Sequence, residues 1–359
     1  MPPLQIYAGQ NALRIIREEG IKPHQFAYFL GASGGPKWFT LAGLDRVIFP
    51  EFLKYHSGDV DIIGSSAGAF RAACFVQRDP LAAVNRLADF YSHTVYSKNA
   101  GEIEITEKAR ELLAYVLPSD GILELLANDG FHCHFIAVKC KGLMASFSRS
   151  AQLLGLMASA ASNSVSRRNL KHFYERVVFS SPNSKIKVTD PYDIPTRYVE
   201  MGYSTVRDAL LASGSIPLVL QGVEHIVGAP EGVYRDGGIV DYHFDLQFGP
   251  RKGLILYPHF YSSPIPGWFD KNLKRRVPHV KSYDDVVMLV PSAEFVASLP
   301  YGKIPDRKDF SSMEDKPRIE YWQTVLSESY RLGEYFMQIA QDGSIADEIQ
   351  PLPFRLMLG

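Results

Sequence analysis

Near the start of this chain an apolar run, a Gly-x-Ser-x-Gly turn and a helix-forming segment follow one another twice. The first copy joins the run 26–30 to Gly31-Ala32-Ser33-Gly34-Gly35, and the second joins 60–63 to Gly64-Ser65-Ser66-Ala67-Gly68. Parallel strands need a crossover between them, and a strand, a tight turn and a helix in repetition supply it. The pattern therefore predicts an α/β architecture with a parallel sheet under covering helices. Pro36 suits the first turn of a helix, where its missing N–H would have no partner anyway. A helix is predicted from there to Phe49, before Pro50, and a second over 67–77.

Further along, apolar periodicity predicts helices over 81–92, 106–116, 122–128 and 149–161, and one capped by Ser204 through 211. Strands are predicted over 131–139, 177–180, 254–257 and 286–290. A last helix starts near Pro317 and stops at Asp342-Gly343, with Ile319, Trp322, Leu326, Leu332, Phe336 and Ile339 on one core-packing face. The helix over 149–161, bearing Leu153, Leu154, Leu156 and Met157, reads as a packed core helix, with a lid or acyl-pocket wall as the functional alternative. The stretch 261–281 holds three prolines and reads as a loop. One α/β domain over 1–359 is expected, with a motif-bearing part at about 26–240 and a helical, loop-rich extension at about 241–359.

Charge narrows the partners. The 38 Lys and Arg against 39 Asp and Glu leave a net charge of −1, too balanced for binding that rests on neutralising nucleic-acid phosphates. Three cysteines, Cys74, Cys133 and Cys140, make no disulfide framework and point to a reducing compartment, hence a cytoplasmic protein. The first twenty or so residues lack the pattern of a signal peptide. No run approaches the roughly 18–20 apolar residues of a spanning helix. His132, Cys133, His134 and Cys140 suggest a metal at first sight. On a strand, however, His132 and His134 share a face that Cys133 leaves, so neither metal nor other cofactor is expected.

Nucleophilic serine chemistry needs an exposed hydroxyl on a sharp turn, a base, and N–H donors for the developing oxyanion. Gly-x-Ser-x-Gly between a strand and a helix provides the first. Both copies cannot be the nucleophile of one site. Ser66 is favoured over Ser33, because Ala67 opens an apolar helix that can bury itself and offers its N–H beside the serine. The loop 31–37 is the better oxyanion cradle, since Gly34 and Gly35 can turn their amides to one point at a helix start. A phosphate loop fits poorly: counted from Gly31, Pro36 stands where the second glycine belongs and Trp38 where Ser or Thr would bind magnesium. As base, no histidine downstream of Ser66 stands out by spacing. Asp236, in Asp236-Gly237-Gly238, attracts more notice, although Asp-Gly is also an ordinary turn.

Gly34-Gly35-x-Lys37, Gly64-x-Ser66-x-Gly68 and Asp236-Gly237-Gly238, in that order, resemble the patatin-like phospholipases. Ala212-Ser213-Gly214-Ser215-Ile216-Pro217 resembles that family's segment before the aspartate, and the likeness covers about 26–238. It implies a three-layer fold, a central mostly parallel sheet with helices on both faces. It also implies a Ser–Asp dyad without histidine, Ser66 as nucleophile and Asp236 as base. An aspartate of ordinary pKa, about 3.9, is a weak base at neutral pH. It serves only in a dry site within hydrogen-bond reach of the hydroxyl. Pro36 departs from the family's glycine loop and has no N–H, so the amides of Gly34, Gly35 and Ala67 are left to form the oxyanion hole. Lys37 adds positive potential or is simply solvated, and Gly64, Gly68, Gly237 and Gly238 support the two turns.

The expected function is a serine acyl hydrolase of lipid acyl esters, of phospholipase A or lysophospholipase type. The rivals are a non-lipid esterase, thioesterase or acyltransferase with the same dyad, and a non-catalytic lipid-binding protein on the same scaffold. The basic run Lys271, Lys274, Arg275, Arg276, His279 and Lys281 reads as a solvated loop. Its functional alternative is a peripheral membrane contact through Trp268, Phe269, Lys274, Arg275 and Arg276.

Overall fold

The strands Phe26–Gly31, Val60–Ser65, Leu254–Pro258 and Val286–Pro291 are buried at every position. Side chains alternate between the faces of a sheet, so unbroken burial means that both faces are covered. The computed structural model, which describes residues 2–358, has an eleven-stranded sheet among them with helices on both sides. Its middle is parallel, in the order Val286–Pro291, Leu254–Pro258, Phe26–Gly31, Val60–Ser65, Phe131–Cys140. Antiparallel strands flank it: Leu4–Ala8 on one side, Tyr174–Ser180 and Val233–Asp236 on the other. The sheet is therefore mixed and mostly parallel, as expected.

Along Phe131–Cys140, the strand Val60–Ser65 pairs as far as Ser65 opposite Ile136. Asp236 then lies opposite Ala137, the next residue along. Two segments far apart in sequence thus arrive end to end on one strand.

Most predicted elements are present within a few residues, and the differences have local causes. The helix predicted from Pro36 to Phe49 is three pieces, a 3₁₀ stretch Gly35–Leu41, an α-helix Ala42–Val47 and a π turn Ile48–Phe52. Gly35 enters in the left-handed region at φ 56°, and Pro50 has no N–H to continue an α-helical ladder. Ser204 lies inside the helix Tyr203–Gly214, which Gly202 precedes. The last predicted helix is two, Asp315–Glu328 and Tyr330–Asp342, the second ending at the left-handed Gly343 as expected. They part at Ser329, where another backbone presses in. The Gly43 N–H donates to Ser329 Oγ at 3.0 Å, and a Cβ on Gly43 would fall 1.8 Å from the Ser329 carbonyl oxygen. The strand Leu4–Ala8, with the short edge strand Gln350–Pro351 beside it, and the helix Gln10–Glu19 have no counterpart among the predicted elements.

The helix predicted over 149–161 spans Arg149–Val165, but it is not the packed core helix expected. Leu153, Leu154 and Met157 are each at least half exposed.

Candidate active site

Ser66 stands between the strand Val60–Ser65 and the helix Ala67–Phe75 with φ 54° and ψ −125°. That backbone is strained for a residue with a Cβ, and such strain persists only where the surroundings impose it. Glycines impose it here. A Cβ on Gly64 would sit 2.3 Å from the Gly68 carbonyl, and one on Gly68 would sit 1.8 Å from the Gly31 carbonyl oxygen. The first glycine of one motif thus packs on the last glycine of the other. The Ser66 N–H donates to Ser213 Oγ at 3.0 Å, and that hydroxyl donates to the Ile136 carbonyl at 2.7 Å. Behind the turn, Arg71 of the same helix makes a buried two-pronged ion pair with Asp45 at 2.8 and 2.6 Å. It ties this helix to the one that follows the glycine loop.

Asp236 ends the strand Val233–Asp236, held by its N–H to the Ser215 carbonyl at 3.0 Å. Its Oδ2 accepts the Ser66 hydroxyl at 2.7 Å and its Oδ1 accepts the Gly238 N–H at 2.7 Å. Both residues of the pair are under one-tenth exposed. Burial pushes the Asp236 pKa up from 3.8 to about 6, against the opposing pull of the Ser66 and Gly238 hydrogen bonds. The two glycines after it are there for space. A Cβ on Gly237 would meet the Ile136 carbonyl oxygen at 2.1 Å, and one on Gly238 would meet Ser33 Oγ at 2.6 Å.

Ser33 faces no base. Its hydroxyl is 2.8 Å from Ser65 Oγ and its N–H donates to the Tyr242 carbonyl at 3.0 Å. It fills the seam where the two glycine turns meet Gly238. Gly35 and Ala67 each open a helix, so their N–H groups have no acceptor within it. Gly34 leads into the same turn, with Phe260 close against its backbone. Lys37 is buried and paired with Asp306. Burial and then the neighbouring Arg307 lower its pKa to about 8.

These groups share one cavity of about 750 Å³, lined by Ser33, Gly34, Gly35, Lys37, Ser66, Ala67, Asp236 and Gly238 among others. Its inner wall is apolar, with Phe70, Leu87, Ile105, Ala109, Leu112 and Leu211. Lys37, Lys271, Arg307 and Lys308 also line it, and no histidine does so among the described residues. Gly64, Gly68 and Gly237 lie outside the lining, as packing positions. Three contributions escaped the sequence reading. Ser213 belongs to the segment before the aspartate, where nothing local marks it as the brace of the Ser66 turn. Arg307 and Lys308 belong to Asp306-Arg307-Lys308-Asp309, a charged tetrapeptide that could have drawn attention. Tyr91, which lines the cavity beside Gly35, belongs to a helix with no local signal.

Of the five residues expected to touch a membrane, Trp268 and Phe269 are half-buried against a second apolar cluster around Tyr174 and Leu170. Arg275 and Arg276 donate to the carbonyls of Ser164 and Asn163, while Lys274 is exposed. Of the four residues weighed for a metal, His134 pairs with Asp61 at 2.9 Å, and Cys133 meets Ser181.

A mostly parallel sheet bearing a strained serine at a strand-to-helix turn, hydrogen-bonded to an aspartate at the end of another strand, defines the class. The patatin-like phospholipase family model matches residues 38–243, more than half of the chain, and the chain belongs to that family. Among solved structures it is similar to human GIVD cytosolic phospholipase A2, at 12% identity over 94% of this chain and 62% of that one, TM-score 0.40. It is also similar to VipD from Legionella pneumophila, at 11% identity over 72% of this chain and 53% of that one, TM-score 0.29. The chain thus spans less than two thirds of the length of either. No curated protein matches its sequence.

Proposed function

We propose that this protein is a serine hydrolase of lipid acyl esters, with Ser66 as nucleophile and Asp236 as base. The observation that carries this reading is the 2.7 Å hydrogen bond from Ser66 Oγ to Asp236 Oδ2 in a cavity with an apolar inner wall. Such a distance suits direct proton transfer, for which roughly 2.6–3.2 Å is needed. A carboxylate whose pKa is raised to about 6 is still ionised at neutral pH and is a stronger base than an exposed aspartate.

Ser66 Oγ bonds to the ester carbonyl carbon while its proton passes to Asp236 Oδ2. The negative charge that forms on the carbonyl oxygen meets the amides of Gly34, Gly35 and Ala67, fixed donors of the kind that stabilise such oxyanions. Collapse breaks the bond to the alcohol, which leaves with the proton held by Asp236. Water then attacks the acyl-Ser66 ester, giving its proton to Asp236, and the fatty acid departs as Ser66 regains a proton. The apolar wall holds the acyl chain. Lys271, Arg307 and Lys308 suit a phosphate at the mouth, which favours a phospholipase A or lysophospholipase over an esterase of neutral substrates.

In the same reading the 359 residues act as one patatin-like unit. The segment after the family match supplies three strands of the sheet, Leu254–Pro258, Val286–Pro291 and the short Gln350–Pro351, and the cations of the mouth. Three free, buried cysteines suit a reducing, cytoplasmic location. Among the described residues no helix is long and apolar enough to cross a membrane.

The test is a series of acyl esters from acetyl to palmitoyl, with choline, phosphate and uncharged headgroups, with and without an alcohol acceptor, on wild type and Ser66→Ala. The expected result is turnover that rises with chain length and with a phosphate, releases free fatty acid, and falls by on the order of 10⁴-fold or more in Ser66→Ala. Preference for short esters or thioesters, or acyl transfer to the alcohol in place of hydrolysis, would replace this reading with one of its rivals. Full activity in Ser66→Ala would remove the dyad.

A further inference from the structure

The helix Arg149–Val165 is inside out for a helix in water. Its buried side carries Gln152, Ser159 and Asn163, all fully enclosed, with only Gly155 and Leu156 as apolar members. Its outer side carries Leu153, Leu154, Met157, Ala158, Ala160, Ala161 and Val165. Arg149 is its only charged residue. A surface helix ordinarily turns its apolar stripe to the core and its charges to solvent. Two of these polar groups are tied down, while the Gln152 side chain finds no partner among the described residues. Ser159 Oγ donates to the Gly155 carbonyl at 2.8 Å, and Asn163 Nδ2 donates to Asp270 Oδ1 at 2.8 Å. The helix is therefore anchored in this orientation, and the apolar side is presented outward.

The patch extends past the helix. Leu143 and Phe147, in the turn before it, are also at least half exposed. That turn packs closely on the helix at Gly155, where a Cβ would meet Met144 Sδ at 2.8 Å. The helix begins at the rim of the cavity. Arg149 donates to the Leu218 carbonyl at 3.1 Å and pairs with Glu102 at 3.3 Å. Leu218 lies between the cavity-lining Pro217 and Val219, and Glu102 opens the helix that lines it with Ile105, Ala109 and Leu112. Beside Glu102, Ile103 is exposed too. Cations gather at the far end. Lys171 and Lys274 are exposed without a carboxylate partner among the described residues, and Arg275, also exposed, holds the Ser164 carbonyl.

We infer that the outer face of the helix Arg149–Val165, with Leu143 and Phe147, is the surface by which this protein sits on an anionic lipid bilayer, next to the opening of its acyl-binding cavity. An apolar face flanked by lysine and arginine is the composition of helices that lie in the bilayer interface, apolar side among the acyl chains and cations at the headgroups. Apolar patches of this kind on a protein surface mark an interaction site. An anionic bilayer is the occupant that the flanking cations select. The inference rests on the lipid-ester reading for the cavity, but its binding half is independent of catalysis.

The test sediments wild type, Leu153→Gln/Met157→Gln and Ser66→Ala with vesicles of phosphatidylglycerol and phosphatidylcholine, and with phosphatidylcholine alone. The positions are exposed, so the double variant is expected to keep the wild-type melting temperature and its rate on a water-soluble short-chain ester. Wild type and Ser66→Ala are expected to bind the anionic vesicles, and the double variant to bind at least 10-fold more weakly. Leu154→Trp should show a blue-shifted emission only when anionic vesicles are present. The inference is overturned if wild type stays in solution with both vesicle types, or if the double variant binds equally well. It is also overturned if wild type is a dimer that the double variant splits. Vesicle binding lost in the double variant, with no ester hydrolysed by wild type, would uphold this surface and end the hydrolase reading.

Discussion

Ser66 bears its Cβ at φ 54°, which costs on the order of 1–3 kcal/mol. Glycine adopts that backbone freely. Ser66→Gly is therefore expected to raise stability by about 1–3 kcal/mol while abolishing turnover, as read by urea unfolding, whereas Ser66→Ala keeps the strain. Asp236 carries a second local cost. Its pKa rises from 3.8 to about 6 on folding, so between those values the folded state holds a proton that the unfolded state has released. Stability then falls as pH rises through this window, by up to about 3 kcal/mol, and stays lower above it. Asp236→Asn is expected to melt higher than wild type at pH 8, with the gain vanishing near pH 4. An equal melting temperature at pH 8 would contradict the buried charge. Activity should instead rise with pH through about 6, as the base ionises.

At the scale of elements, the two glycine turns are one joint. A Cβ on Gly68 has nowhere to go but into the Gly31 backbone. Gly68→Ala is expected to cost about 3 kcal/mol or more in chemical unfolding, beyond ordinary overpacking, because backbone and not a movable side chain is met. Gly130→Ala, with nothing within 4 Å of its Cβ, should change stability by less than about 0.5 kcal/mol. The same contrast explains what could be read in advance. Glycine spacing and apolar runs are local, so the two turns, most strands and the membership of Ser66, Gly34, Gly35 and Asp236 in one site were legible. The Arg71–Asp45 pair and the Ser213 brace join segments far apart, and no local pattern marks them. The helix Arg149–Val165 shows the limit most clearly. Its apolar content was plain, but composition does not tell which phase an apolar face meets, and the core was the wrong choice.

At the scale of the molecule, the family match ends at residue 243, but the cavity does not. Tyr261, Ile265, Trp268, Lys271, Arg307, Lys308 and Phe310 complete it. Its volume of about 750 Å³ falls within the roughly 300–1,000 Å³ of ligand pockets. The later segment therefore builds the mouth over the Ser66–Asp236 hydrogen bond that the earlier one holds. The whole account turns on a single activated serine among the many in this chain. The most direct measurement treats wild type, Ser66→Ala, Ser33→Ala and Asp236→Asn with a fluorophosphonate and maps the modified residue by mass spectrometry, with and without lipid vesicles. The account predicts one label at Ser66, lost in Ser66→Ala, slowed strongly in Asp236→Asn and retained in Ser33→Ala. Labelling at Ser33, or a folded wild type that takes no label even on vesicles, would contradict it.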